Sequence, residues 1–174
     1  VLEVEAKFMS PGNDLVIEAL KRLGAERLTE ESVEDIYYGH PSRDFGSSDE
    51  AVRLRKRPDS AELTYKGPRM TSSSAKAREE LSMVVSDALS AGRILERLGF
   101  SELISVRKRR TTYFIDKLRV DVDEVEGLGQ FVELELVTED VAKAEKLLES
   151  ARSELPLGDE VKETYLEMLL DRRS

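Results

Sequence analysis

The chain contains no cysteine, no tryptophan and a single histidine, His40. Without cysteine there is no disulfide framework, no thiol nucleophile and no Cys/His zinc spacing. No Ser-His-Asp arrangement and no glycine-rich phosphate loop is present either. No apolar run reaches the length of a membrane span, and no secretory signal is visible. A basic excess is also missing: 27 Lys and Arg against 36 Asp and Glu give a net charge of −9. That balance argues against general nucleic-acid binding, which needs a basic face. High charge without cysteine fits a cytoplasmic protein and would suit a thermophile.

What is present is charge, and it is ordered. The 174 residues, 40% of them hydrophobic, predict one compact domain over residues 1–174 with a sizeable core. Charged residues make up 36%, well above the usual quarter. Arg and Lys concentrate at 52–57 and 106–110. Local cationic strands in an acidic protein suggest a small anionic ligand in an enclosed site. Solvated strand faces are the plainer alternative.

The coarse layout is strand-rich with helices between. A strand opens the chain, so few residues are expected before Val1. Asn13 is expected to cap a helix to about Leu23, closed by Gly24, with Leu15, Ala19, Leu20 and Leu23 as its apolar stripe. Residues 28–38 read as a strand, and 39–48 as a loop containing His40-Pro41, where His40 takes a turn or rim role. Strands 51–57 and 61–66 flank the turn Pro58-Asp59-Ser60. Residues 67–77, with Pro68 and the run Ser72–Ser74, read as a mobile loop and a candidate lid. A strand over 77–85 leads to a helix capped by Ser86, with Leu89, Leu95 and Leu98 inward. Strands 104–115, 119–125 and 130–137 follow. Thr138 is expected to cap a helix carrying Val141, Ala144, Leu147 and Leu148. A last helix carries Tyr165, Leu166, Leu169 and Leu170.

Sorting the strands by face sharpens the reading, because successive side chains alternate. Glu3, Glu5 and Lys7 share one side, opposite Leu2, Val4 and Ala6. Arg53, Arg55 and Arg57 share a face, as do Thr64 and Lys66, Arg78 and Glu80, Lys108 and Arg110, and Asp121 and Asp123. Glu133 and Glu135 oppose Val132, Leu134 and Leu136. Tyr37 and Tyr38 face opposite sides, one toward a helix and the other toward a ligand. Such faces close into a barrel with a polar lumen, or form an open sheet with one wet face; periodicity does not choose. The two Glu-x-Glu pairs supply hard oxygen donors suited to Mg²⁺ or Mn²⁺. Arg and Lys neutralise phosphate oxygens.

Glu3-Val4-Glu5-Ala6-Lys7 resembles the Glu-x-Glu-x-Lys signature of CYTH domains, the triphosphate tunnel metalloenzymes. The likeness continues through Arg53-Leu54-Arg55, Tyr65-Lys66-Gly67-Pro68, Arg78-Glu79-Glu80 and Lys108-Arg109-Arg110 to Phe131-Val132-Glu133-Leu134-Glu135. Within the family the chain is similar to class IV adenylyl cyclases, in His40–Phe45, Ser48–Arg55 and Asp123–Gly129; Asp35 also fits the family pattern. The resemblance implies an α+β fold, an antiparallel closed β-barrel of about eight strands with helices packed outside. It implies that Glu3, Glu5, Glu133 and Glu135 hold one or two ions of Mg²⁺ or Mn²⁺. Lys7, Arg53, Arg55, Lys66, Arg78, Lys108 and Arg110 would surround the triphosphate, with Arg78 and Glu80 as a supporting pair. Asp121 or Asp123 would orient a metal-bound water or a nucleophile, and Arg57 would lie at or past the tunnel mouth. Glu3, Glu5, Lys7, Asp123 and Glu133 are thus the expected catalytic set. ATP cyclisation is the first expected activity; triphosphate hydrolysis and non-catalytic polyphosphate or nucleotide binding are the alternatives. The expected partner is a small-molecule triphosphate, not nucleic acid or membrane, and the resemblance adds an expectation of a homodimer.

Overall fold

The computed structural model describes residues 2–69 and 76–173. Its elements run β1 (Leu2–Met9), α1 (Asn13–Arg22), β2 (Glu26–Gly39), β3 (Ala51–Lys56), β4 (Ala61–Lys66), β5 (Lys76–Arg78), β6 (Glu80–Val85), α2 (Ala88–Arg97), β7 (Ser101–Ile115), β8 (Leu118–Val125), β9 (Gly129–Thr138), α3 (Val141–Glu154) and α4 (Tyr165–Asp171). The Ser72–Ser74 run lies outside the described residues.

All strand pairs are antiparallel, in the order β5-β1-β9-β8-β7-β2-β3-β4-β6. The two ends of that order are neighbours in sequence, separated only by Glu79. Residues 76–85 therefore act as one interrupted strand, pairing with β1 through Glu3↔Arg78 and with β4 through Lys66↔Glu80. The sheet curls until its edges meet at this seam, so counting β5 and β6 together gives the eight-stranded α+β barrel that the alternation permitted. Closure removes the unpaired edges an open sheet would expose.

The strand period sorts the residues. Outward-facing Val4, Ala6, Phe8, Val120, Val122, Val132, Leu134 and Leu136 pack under α1 and α3, meeting Val16, Ala19, Leu20, Ala144 and Leu148. Each fully buried Val, Leu or Phe among them contributes roughly 1.5–3 kcal/mol. On the other flank, Leu95 of α2 covers Ile36, Tyr38 and Leu54. The fourth helix differs. Tyr165 packs on Val106, Val125 and Phe131, which share strand parity with Lys108, Asp123 and Glu133. Thus α4 lies across one end of the barrel, and Tyr165 reaches the lumen side of the wall. Among the described residues, no helix is long and apolar enough to cross a membrane.

Helix ends depart from the expected caps. Asn13 is the first helical residue, not the cap: its Nδ2 donates to the Asp123 carbonyl at 3.1 Å, tying α1 to β8. The α2 cap is Asp87, not Ser86, and the α3 cap is Asp140, not Thr138. The Asp87 carboxylate accepts from the Leu89 and Ser90 N–H groups, and Asp140 accepts from Lys143 N. In each case a carboxylate, the stronger acceptor for helix N–H groups, takes the position nearer the helix. Several expected stripe residues are also exposed: Leu15, Leu23, Leu89, Leu98 and Leu147 face outward, while Val16 fills the α1 interface. Gly24 closes α1 as expected, at φ 77°.

Candidate active site

Tilted strands bring the charged alternates together around a cavity of about 290 Å³. Glu3, Glu5 and Lys7 enter from β1, Arg53, Arg55 and Arg57 from β3 and its end, and Lys66 from β4. Arg78 and Glu80 come from the seam, Lys108 and Arg110 from β7, and Glu133 and Glu135 from β9. Asp123 of the expected set does not line the cavity; it is fully buried behind Arg110.

The cations sit on built supports. Asp35, on β2, receives Arg55 through two hydrogen bonds, Nε to Oδ1 at 2.6 Å and Nη2 to Oδ2 at 2.8 Å. Arg110 forks onto Asp123 at 2.7 and 2.5 Å, reaches Asp121 at 2.6 Å and also pairs with Glu133. Lys108 lies between Asp123 at 3.4 Å and Asp35 at 3.7 Å. Tyr165 completes this layer. Its hydroxyl donates to Asp123 Oδ2 at 3.0 Å, and its ring lies 4.0 Å from the Lys7 ammonium and 4.9 Å from that of Lys108. Lys7 also donates to the Glu163 carbonyl at 2.8 Å. Arg53 is held more loosely, with Thr64 Oγ1 at 3.3 Å and Glu62 at 3.5 Å. Its Nε is buried with no hydrogen-bond partner among the described residues. A buried donor left so costs about 1–3 kcal/mol unless a ligand oxygen takes it.

Near the seam, Lys66 is bonded to Glu80 and lies 3.9 Å from Glu3, while Arg78 lies 3.8 Å from Glu80. Arg57 reaches Glu31 at 3.2 Å and belongs to the cavity wall. Tyr37 lines the cavity, whereas Tyr38 packs against α2. His40 keeps to the rim: its Nδ1 accepts from Ser42 N, and its ring stacks among Phe45 and Phe100.

Electrostatically the lumen is mixed. Nine Lys and Arg side chains and ten carboxylates line it. Burial would raise Glu133, yet Arg110, Lys108 and Lys7 hold it well below the usual carboxylate range. Asp35 likewise stays low, as Arg55 and Arg53 outweigh its burial. Glu3 goes the other way: burial pushes it up to about 8, against the pull of Lys66 and with crowding from Glu135, Glu80 and Glu5. Glu135 is raised by burial, Asp121 and Glu5 despite Arg119. Among the described residues no three carboxylates form a ready-made metal cage. Even so, Glu3 and Glu135 are hard oxygen donors whose charged form is disfavoured by burial and by neighbouring carboxylates, and a divalent cation would offset both.

Residue reasoning left Asp35 and Tyr165 out of the site. Asp35 shares parity with Tyr37, a usable signal. Tyr165 sat in a helical apolar stripe, and nothing local marks it as reaching the lumen. Arg69 was also missed. It bonds Asp49 at 2.8 and 2.9 Å and Glu167 at 2.8 Å, joining the loop before β3 to α4.

An antiparallel barrel with interleaved cations and carboxylates in its lumen defines the triphosphate tunnel class. The chain belongs to the CYTH domain family, whose model matches residues 2–165. Members of this family process triphosphates. The chain is 38% identical over 149 residues, 86% of its length and 85% of the relative's, to a candidate adenylate cyclase of Methanocaldococcus jannaschii. It is 30% identical over 143 residues, 80% of this chain and 71% of the other, to adenylate cyclase CyaB of Aeromonas hydrophila. A solved Pyrococcus horikoshii structure matches with a TM-score of 0.89 at 36% identity, covering 98% of this chain and 99% of that one. A Hippeastrum protein described as a candidate adenylyl cyclase with dominant triphosphatase activity shares the fold. Its TM-score is 0.74 at 18% identity, with 98% of this chain and 95% of that one covered.

Proposed function

We propose that this chain is a metal-dependent enzyme acting on a triphosphate in the barrel lumen, with conversion of ATP to cyclic AMP and pyrophosphate as its reaction. The observation that carries the reading is Arg53, whose buried Nε has no acceptor among the described residues within a wall of fixed cations. Phosphate oxygens are the acceptors such a group selects. Lys7, Arg53, Arg55, Lys66, Arg78, Lys108 and Arg110 surround the polyphosphate and stabilise charge on the departing pyrophosphate as the ribose 3′-oxygen attacks the α-phosphorus in line. Their buried carboxylate partners keep them oriented beforehand, so little reorganisation is needed during the reaction. Glu3, Glu5, Glu133 and Glu135 are the residues that would hold Mg²⁺ or Mn²⁺. A divalent ion there supplies neutralisation of phosphate charge and acidification of a bound hydroxyl. Asp123 acts through Arg110 and Lys108, and Asp121 through Arg110.

The cyclase names of the M. jannaschii and A. hydrophila relatives support cyclisation. The Hippeastrum neighbour supports a second reading, in which water attacks a terminal phosphorus in the same lumen. Non-catalytic polyphosphate binding is the third, and the two Glu-x-Glu pairs weigh against it, since an anion store has less need for so many acids.

The test is ³¹P NMR of the purified protein with ATP and excess Mg²⁺, repeated with Mn²⁺. Cyclic AMP with stoichiometric pyrophosphate supports the cyclase; ADP with orthophosphate replaces it by a triphosphatase. No turnover alongside binding of inorganic tripolyphosphate leaves a binder. Glu5→Gln is expected to abolish the metal-dependent turnover at an unchanged melting temperature, and retained turnover removes Glu5 from the site.

A further inference from the structure

The seam closes the barrel without covering every strand edge. Arg78 is the last residue of its segment to pair with β1, opposite Glu3, while β6 continues along β4 to Val85. Past Glu79, the side of β6 turned away from β4 has no strand beside it among the described residues. Both faces of this overhang are apolar and open to water. Leu81 and Met83 on the outer face are 59% and 60% exposed, and Val84 on the other is 76% exposed. Residues 81–85, Leu-Ser-Met-Val-Val, hold no charge in a chain that is 36% charged. Residues 26–33 of β2 also have a strand, β7, on one side and none on the other. That edge carries Glu26, Arg27, Glu30 and Glu31 and a register shift between Arg27 and Thr29. Charge and a bulge are the means by which a free edge resists pairing. The 81–85 edge has neither.

We infer that this edge docks a second copy of the chain, β6 beside β6, antiparallel about a two-fold axis, so that two barrel walls join in one sheet. The inference is independent of what the lumen binds. Unpaired N–H and C=O groups along 81–85 are a template for strand addition. The strand that fits must bring an open edge of its own and no charge over five positions, and β6 itself meets both conditions. A two-fold centred on Met83 sets Leu81 opposite Val85 and Ser82 opposite Val84, with no charge at any pair. Moving the centre one residue toward the seam sets Glu80 opposite Val84. Moving it one residue toward α2 sets Leu81 opposite Asp87. Either shift leaves a carboxylate against an aliphatic side chain, so the acids that bound the run fix the register. A stable interface buries about 800 Å² on each partner, more than a five-residue strand pair offers. Helix α2 adds to it. It begins three residues after β6, packs over Leu63 and Val85, and leaves Leu89, Ile94 and Leu98 exposed.

Sedimentation velocity of the full chain across the micromolar range tests the pairing. Wild type is expected at twice the chain mass, and Val84→Lys and Met83→Lys are each expected to weaken the dimer by about tenfold or more. The two positions lie on opposite faces of the strand and both are exposed, so neither change disturbs the core; an unchanged circular dichroism spectrum checks this. Hydrogen exchange separates edge pairing from a contact made by side chains alone. Amides of 81–85 that face the open edge are expected to gain protection as the wild type associates, while those of 26–33 do not. A wild type that stays a single chain overturns the inference. So does a dimer that survives both lysine variants, or one whose 81–85 amides exchange as fast as in the monomer.

Discussion

Asp35 illustrates how a single buried acid shapes the site by holding its cations. It is 1% exposed and holds Arg55 in a two-point grip, with Lys108 close by. Replacing it by Asn leaves a buried guanidinium without its counter-charge, at a cost of about 3–5 kcal/mol. Urea unfolding at pH 7 is expected to show that loss. In the unfolded chain the acid titrates near its ordinary 3.8, and in the folded protein well below. Its stabilisation is therefore complete above about pH 4 and is lost as the pH falls through the folded value. The gap between wild type and Asp35→Asn should accordingly narrow on acidification, and a gap that widens would refute the assignment. Tyr165 allows a finer cut. Tyr165→Phe keeps the ring beside Lys7 and Lys108 but removes the bond to Asp123, at about 1 kcal/mol. Tyr165→Leu also removes the cation–π contacts and is expected to weaken tripolyphosphate binding further, as calorimetry of the two variants would report. At this scale the sequence was legible wherever side chains follow strand parity: the thirteen alternating residues from Glu3 to Glu135 that line the cavity could be named because each faces the same way as its neighbours two positions off. Tyr165 obeys no such period, and its Asp123 contact spans 42 residues of chain.

Among the helices, α4 is the shortest and the most informative. Seven residues make a marginal helix in isolation. A full capping box, Thr164 with Glu167, fixes its first turn, and Glu167 is also bonded to Arg69. Arg69→Ala is expected to speed amide hydrogen exchange in α4 and in residues 45–50 together, while β7 and β8 are unaffected. Exchange rising in only one of the two segments would show that they are not tied. Strands were easier to read than helix ends. A pattern of alternating charge survives an error of one residue, whereas a cap is one specific residue, and Ser86 and Thr138 lost to Asp87 and Asp140 one and two positions on. The seam was invisible for another reason. Residues 77–85 do read as strand, but pairing with β1 before Glu79 and with β4 after it is a property of the closed sheet, not of the local sequence.

Taken whole, the molecule gathers nine cations and ten acids in one small volume of a protein of net charge −9. A ligand that settles those charges stabilises only the closed barrel. Inorganic tripolyphosphate with Mg²⁺ at a hundredfold excess over its dissociation constant is expected to add about 2.7 kcal/mol, readable as a rise in melting temperature. An unchanged melting temperature would mean that the lumen does not take the anion. The closed topology also bears on how the site comes into being. β1 carries Glu3, Glu5 and Lys7, and its main partner β9 begins at Gly129. On a ribosome adding about 5–20 residues per second, β1 waits on the order of ten seconds for that partner. During that time the first Glu-x-Glu has no second one to face. A chain interrupted before Glu133 carries only the first pair, so the two cannot face each other until the strand that holds the second has been made.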